Sequence, residues 1–221
     1  MFAWLEKRPF FFAVVLFLVI AYAGVIENLP HFTEQARPVE GTKPYTPLEL
    51  AGRHVYIKDS CNACHSQLIR PFKSETDRYG MYSLSGEYAY DRPFLWGSKR
   101  TGPDLMRVGN YRTTDWHENH MWEPISVVPK SIMPAYKHMF TKNADLETAY
   151  AEAYTVKKVF SVPYDEEGMP KLGNWEEAKE QMFKEAKVIV DKMKNQEVKD
   201  AFAKGEIRQI VAMIAYLNSL K

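Results

Sequence analysis

The sequence contains few cysteines, and the ones it has lie close together. Among 221 residues there are two, Cys61 and Cys64. If one motif uses both, no structural disulfide can form, and packing plus whatever the motif binds must hold the fold. The sequence also lacks an excess of charge, since 29 basic and 28 acidic residues give a formal net charge of +1. Nucleic-acid binding needs a basic face, so nothing here indicates a nucleic-acid partner.

The sequence also lacks an internal repeat and any clear strand pattern, so it predicts an all-α fold. This length allows one membrane anchor plus one globular domain of ordinary size, or at most two small domains. Candidate capping boxes at Thr46 with Glu49, and at Asn174 with Glu177, mark two helix starts. The predicted helices cover 47–59, 115–122, 145–160, 175–195 and 206–220. Residues 70–112 are predicted to be an ordered loop with short turns.

One long apolar run is present, because Phe10–Ile26 contains no charged residue. As a helix it is about 26 Å long, close to the hydrocarbon thickness of a bilayer. Lys7 and Arg8 precede it, and this positive flank predicts a cytoplasmic N-terminus with the remainder of the chain outside. A cleaved signal peptide is the alternative, since Ala21–Ala23 resembles a cleavage site. The apolar run continues past that site, which favours a retained anchor.

Residues Cys61–His65 read C-N-A-C-H, a C-x-x-C-H pattern. Two thiols at this spacing, on a turn entering a helix, can each add to one vinyl group of a haem. The adjacent His65 can then offer its Nε2 to the iron. A thioredoxin-like dithiol would need a βαβ context, and a zinc site would need a second cysteine pair. Chance occurrence is the third alternative. The export segment upstream favours one covalent c-type haem on Cys61 and Cys64.

The iron face opposite His65 can be open or filled by a thioether or an imidazole. Met133 is the best candidate, because a loop bounded by Pro129 and Pro134 can present its side chain without helix constraints. A methionine here raises the reduction potential and leaves no site for a substrate, which is typical of an electron carrier. The alternatives, which we expect to be packing or structural residues, are Met106, Met121, Met139, His117 and His120.

Residues 46–136 resemble a class I cytochrome c domain with an insertion. Gly102–Leu105 matches the Gly-Pro-x-Leu segment of that family. The resemblance implies that the Pro103 carbonyl accepts the Nδ1–H of His65 and so orients the imidazole. It also implies a fold in which a helical cytochrome c-like domain with a long insert follows a single transmembrane helix.

The same resemblance implies a close crossing of the first and last helices of the domain. Gly52 and Tyr56 would meet Tyr216 and Leu217 at this crossing. The alternative for Gly52 is that it simply weakens its helix.

A more specific resemblance is to subunit II, the mono-haem subunit, of cbb3-type cytochrome c oxidase. The segments that carry it are His65–Phe72, Arg78–Gly80, Trp96–Leu105 and Val128–Tyr136. The resemblance covers Phe10 to about His138 and is poor beyond that point.

That resemblance implies a single-pass protein of the bacterial inner membrane with a periplasmic haem domain. Its haem would receive electrons from the multi-haem cytochrome c subunit III or from a soluble cytochrome c. It would pass them to haem b of the catalytic haem-copper subunit I, so this chain would not itself be catalytic. A free-standing membrane-anchored cytochrome c serving another reductase, and a non-haem scaffold, are the alternatives.

The predicted domain organisation follows from these features. Residues 1–9 form a cytoplasmic N-terminus, 10–28 the transmembrane anchor and 29–45 a linker rich in Pro, Gly and charge. Residues 46–221 form the periplasmic domain, in which 142–205 is a helical extension without an assigned role.

Three basic residues of the insert are further candidates. Arg70, Lys99 and Arg100 could contact haem propionates or a neighbouring subunit through charge-assisted hydrogen bonds. The Trp96–Arg100 turn is the predicted surface facing subunit I. Solvated loop charges are the alternative for each of the three.

Overall fold

The computed structural model describes residues 2–33 and 37–221. These residues belong to two compact units, the second of which begins at Arg37. Residues 34–36 of the predicted linker lie outside the described residues.

The first unit consists of α1 (Phe2–Glu6) and α2 (Pro9–Thr33). Pro9 occupies the first position of α2, where its missing N–H costs no hydrogen bond. The segment Pro9–Leu29 is long and apolar enough to cross a membrane, with a mean hydropathy of 2.6. Its apolar side chains, such as Phe10 and Phe17, are exposed. A helix that is apolar all round and buried against nothing is a candidate membrane span. The helix continues past residue 28, where the anchor was predicted to end.

The regular secondary structure of the second unit is helical, and residues 37–221 contain no strand beyond the isolated bridge between Asn143 and Arg208. This confirms the predicted all-α fold. Its α-helices are α3 (Pro47–Lys58), α4 (Lys73–Tyr79), α5 (Thr114–Trp122), α6 (Pro124–Val127), α7 (Leu146–Phe160), α8 (Trp175–Val190), α9 (Gln196–Ala203) and α10 (Gln209–Ser219). Single 3-10 turns lie at Cys61–Ala63, Ser85–Tyr88, Val108–Asn110 and Lys137–Phe140.

The helix starts with capping boxes lie where the sequence predicts them. In α3 the Thr46 N–H donates to Glu49 Oε2 at 2.8 Å, and in α8 the N–H of Glu177 donates to Asn174 Oδ1 at 3.0 Å. The prediction missed three short helices of this unit, α4, α6 and α9. Asn195 caps α9 by accepting from the Val198 N–H at 3.0 Å.

The predicted crossing of α3 and α10 is present. A Cβ on Gly52 would lie 2.5 Å from the carbonyl carbon of Ala212, so only a glycine permits this approach. The ring of Tyr56 meets the ring of Tyr216 edge-on at 5.4 Å. Backbone contact at Gly52 and aromatic contact at Tyr56 together fix the two helices that frame the core.

The extension at 142–205 contributes to the same hydrophobic core. On α7, Ala149 and Ala153 are fully buried, and on α8 so are Met182 and Ala186. The extension is therefore an integral part of the folded unit.

Residues before α3 also pack on this unit. The Val39 N–H donates to the Gly86 carbonyl at 3.3 Å, and the Tyr45 ring meets Tyr216 at 5.6 Å. The structure therefore starts the folded unit at Arg37, earlier than the predicted boundary at residue 46.

Candidate cofactor site

The C-x-x-C-H motif forms one tight turn directly after α3. Ser60 adopts a left-handed conformation with φ at 57°, which reverses the chain before the 3-10 turn Cys61–Ala63. The N–H of His65 donates to the Cys61 carbonyl at 2.9 Å. The Cys61 side chain is buried and that of Cys64 is exposed, and both thiols are free. The turn thus presents two thiols and one imidazole within five residues.

A cavity of about 500 Å³ opens beside this turn. Its volume lies in the ordinary range for cofactor pockets, and most of its wall is apolar or aromatic. Five residues singled out from the sequence line it together, namely Cys61, Cys64, His65, Pro103 and Met133. They come from three separate stretches of the chain that folding brings to one cavity.

Two neighbouring residues position His65. Its Nδ1 lies 2.8 Å from the Pro103 carbonyl oxygen, which can only accept, so Nδ1 carries the proton and Nε2 keeps a free lone pair. A Cβ on Gly102 would lie 2.7 Å from both ring nitrogens, so a glycine is needed where the backbone lies against the imidazole. Burial lowers the pKa of His65, which favours the neutral form that can bind a metal.

The loop that carries Met133 is fixed at two points. The Met133 N–H donates to Ser131 Oγ at 3.2 Å, and the Tyr136 N–H donates to the Met121 carbonyl at 2.8 Å. The second bond attaches the loop to α5. Met133 is half-buried and packs against the core while lining the cavity.

The structure separates the alternative methionines. Met121 lines the cavity. Met106 packs in a small cluster with Ile69 and Tyr88, and Met139 is fully buried in the main core. Neither of these two is among the cavity-lining residues.

Two histidines on α5, expected from the sequence to be structural, line the cavity as well. His117 is 1% exposed, and neither of its ring nitrogens has a hydrogen-bond partner among the described residues. The Nδ1 of His120 also has no such partner. Burial lowers the pKa of each histidine to about 4, assisted by the Arg112 charge, so both are neutral near pH 7. Their i, i+3 spacing was visible in the sequence, but their orphaned nitrogens were not.

The cavity wall carries charge of one sign. Arg78, Arg112 and Lys130 line it, and no Asp or Glu is among the described residues that do. A planar apolar ring with carboxylate groups, two sites for thiol addition and a central metal fits this wall. The apolar surface would contact such a ring, and the basic residues would favour its carboxylates. These residues therefore fit a haem.

The three basic residues of the insert have other surroundings. Arg100 donates from Nη2 to Glu75 Oε2 at 2.7 Å and to the Leu68 carbonyl at 2.7 Å. Arg70 also pairs with Glu75. Hydrogen bonds from Arg100 and then from Arg70 lower the pKa of Glu75 to about 2. Lys99 is exposed. None of the three is among the cavity-lining residues, so a contact with haem propionates has no support in this geometry.

Asp104 connects the segment after His65 with the segment after Pro103, next to the hydrogen bond between these two residues. Its Oδ2 accepts from Ser66 Oγ at 2.6 Å and from the Leu68 N–H at 2.8 Å, and its Oδ1 accepts from the Met106 N–H at 2.9 Å. The residue after Pro103 is thereby tied to the residue after His65. Sequence reasoning did not single out Asp104.

Comparison with known protein families gives one match. The family model described as cytochrome C oxidase, mono-heme subunit/FixO matches residues 2–221. No curated protein sequence matches the chain significantly. The family match includes the extension at 142–205, so the interpretation that the resemblance ends near His138 was wrong. The boundary near His138 was placed there because the last recognisable sequence motif, Val128–Tyr136, ends just before it.

Proposed function

Because the chain belongs to the family of mono-haem subunits of cytochrome c oxidase, we propose that it relays single electrons through one covalent c-type haem in a cbb3-type terminal oxidase. Membership of the family makes it a haem-bearing subunit of a membrane-bound oxidase, which assembles with other oxidase subunits. The observation that carries the proposal is that Cys61, Cys64, His65 and Met133 line one cavity.

In this proposal each side chain has a defined role. Cys61 and Cys64 would hold the ring through two thioether bonds, each formed by adding an S–H group across a vinyl group. His65 would hold the iron through Nε2, while the Pro103 carbonyl accepts its Nδ1 proton. Met133 would hold the iron through its thioether sulfur. The bound haem would supply a reversible one-electron iron couple.

The proposed direction of transfer follows the family. The chain accepts an electron from the multi-haem cytochrome c subunit III or from a soluble cytochrome c. It delivers that electron to haem b of the catalytic haem-copper subunit I, and this chain itself is non-catalytic. The α2 anchor, with Lys7 and Arg8 before it, supports an inner-membrane location with the haem domain in the periplasm.

The proposed contact with subunit I is the Trp96–Arg100 turn. The Gln67 N–H donates to the Trp96 carbonyl at 2.9 Å, so the turn is tied to the haem motif. The Trp96 ring is 41% exposed and stacks on Phe94 at 4.6 Å. An exposed aromatic pair this close to the motif suits a subunit contact. Lys99, exposed on the same turn, is the basic residue of the insert that we propose to face the partner.

A spectroscopic and gel experiment tests the proposal. The full-length chain is expressed in a bacterium that attaches haem to exported proteins, alongside the other oxidase subunits. We expect a reduced-minus-oxidised spectrum of c type and haem that stays with the chain on a denaturing gel. We also expect co-purification with the copper-containing subunit. Replacing both Cys61 and Cys64 by Ala should abolish the haem band, whereas Ser74→Ala, at an exposed position that does not line the cavity, should keep it. A wild-type chain without covalent haem would overturn the proposal.

A further inference from the structure

The cavity contains polar groups that the proposed function does not use. We infer that His117 and His120, backed by Arg112, hold the carboxylate groups of the bound haem and so set the orientation of the ring. This inference rests on the proposed function, since it requires a haem in the cavity.

Unsatisfied nitrogens are the first observation. His117 is fully enclosed and lines the cavity, yet both its ring nitrogens lack a hydrogen-bond partner among the described residues. A buried donor left unpaired loses its hydrogen bond to water without replacement, so native proteins pair nearly all of them. A neutral imidazole has one N–H to donate. A carboxylate bound in the cavity is an acceptor of the right kind for His117 and for His120.

A fixed stack behind His120 is the second observation. The Arg112 guanidinium lies 4.2 Å from the Trp116 ring centre, and the Trp116 ring stacks on His120 at 4.5 Å. The Arg112 charge acts on both histidines and disfavours their protonation. An anion in the cavity would be attracted by that same charge. This end of the cavity therefore combines neutral donors with a cation.

The position of the cysteines is the third observation. In a haem, the vinyl groups and the carboxylates lie at opposite edges of the ring, so thioethers at Cys61 and Cys64 direct the carboxylates away from them. Cys61 and Cys64 come from the turn after α3, whereas His117 and His120 come from α5, so the two sets line the cavity from different elements.

The long extension supports this arrangement from outside. Between the two histidines, Glu118 is buried. Its carboxylate accepts the N–H groups of Lys194 at 2.8 Å and Asn195 at 2.6 Å. Residues 142–205 thereby fix α5 from the side away from the cavity. This gives the extension a role in placing the helix that holds the haem carboxylates.

The test compares apolar and donor replacements in the full-length, haem-loaded chain. The variants are His117→Leu, His117→Gln, His120→Leu and His120→Gln. His54→Gln is the matched control, because His54 pairs with Glu152 and is not among the cavity-lining residues. Resonance Raman reads the propionate bending band, whose frequency depends on hydrogen bonding to the carboxylate. Spectroelectrochemistry reads the midpoint potential.

We expect the Leu variants to shift the propionate band to lower frequency and to lower the midpoint potential, because a carboxylate without donors stabilises the oxidised iron. The Gln variants, which keep an N–H donor, should restore both readouts towards wild type, and His54→Gln should match wild type. Haem-loaded Leu variants with an unchanged band and potential would overturn the inference while leaving covalent haem intact.

Two further outcomes keep the inference testable. If His117→Leu does not accumulate haem, the comparison of His120→Leu with His120→Gln, at a less buried position, decides by the same shifts in propionate band and midpoint potential. A wild-type propionate band at the frequency of a carboxylate without hydrogen bonds would also overturn the inference. Absence of covalent haem from the wild-type chain is a different result, because it overturns the proposed function itself.

Discussion

At the scale of single residues, the site combines a rigid side with an adjustable one. His65 is held by the Pro103 carbonyl and by the close backbone at Gly102. Asp104, with three hydrogen bonds at 2.6–2.9 Å, ties the flanking segments together. Met133 instead is half-buried on a loop that is fixed at two points. As the proposed second iron ligand, Met133 should therefore be easier to remove than His65 without losing the site.

Replacing Met133 by Ala tests this. We expect the haem to stay attached through its cysteines while the iron becomes high-spin and able to bind carbon monoxide, because a small side chain leaves the coordination position open. Absorption spectra with and without carbon monoxide measure this. Met121→Leu is the control, since Met121 also lines the cavity. If Met121→Leu opens the iron and Met133→Ala does not, the ligand is Met121.

Glu75 gives a prediction about acid stability. Its pKa is about 2 in the folded chain, against 4.5 for an ordinary glutamate, because Arg100 and Arg70 donate to the ionised carboxylate. A depressed pKa stabilises the fold fully above pH 4.5, and the contribution is lost as pH falls towards 2. We expect Glu75→Gln to flatten the pH dependence of unfolding in that window. Denaturation between pH 6 and pH 3 measures it, with Glu180→Gln, whose partner Lys184 is exposed, as control.

The residues predicted from the sequence are those that lie in local motifs. Cys61, Cys64 and His65 belong to one pentapeptide, and Pro103 and Met133 each lie in a short segment with a recognisable pattern. His117 was expected to have a structural role because its signal, an unpaired nitrogen on a residue that lines a cavity, arises only when separate segments fold together. Local order can be read from a sequence, whereas the sharing of a cavity cannot.

At the scale of elements, the α3–α10 crossing organises the domain. The starts of α3 and α8 were predicted correctly, because a capping box is encoded in four consecutive positions, whereas α8 ends at Val190, five residues before its predicted end at 195. The short helices α4 and α9 were missed, since a contact from Arg100, distant in sequence, holds α4 and a single cap begins α9. The hydrogen bond between Val39 and Gly86 could not be predicted either, because a backbone hydrogen bond leaves no pattern in the sequence.

Gly52→Ala tests the crossing. The added Cβ would meet the Ala212 backbone and lie 2.8 Å from the Cβ of Tyr216, so α3 and α10 must move apart. We expect a loss of about 3 kcal/mol in the free energy of unfolding, at the upper end for overpacking. Chemical denaturation followed by circular dichroism measures it. Gly24→Ala is the matched control, because nothing lies within 4 Å of its added Cβ. Equal stability of the two variants would contradict the crossing.

At the scale of the whole molecule, the chain combines two units that require different solvents. The exposed apolar surface of α2 needs lipid, whereas the second unit has a closed core and a charged surface. The charge pattern around α2 is what sets the expected orientation, since Lys7 and Arg8 lie before it and Glu27 near its end. These few charges predict the side of the membrane on which the second unit lies.

Labelling of single added cysteines in intact cells tests this orientation. A membrane-impermeant maleimide should label Lys179→Cys, which is exposed on α8, and should label Lys7→Cys only after the membrane is permeabilised. The unmodified chain is the control, because Cys61 and Cys64 are unreactive once they form thioethers. Labelling of Lys7→Cys in intact cells would place the N-terminus outside, and the haem domain could not then exchange electrons with periplasmic donors.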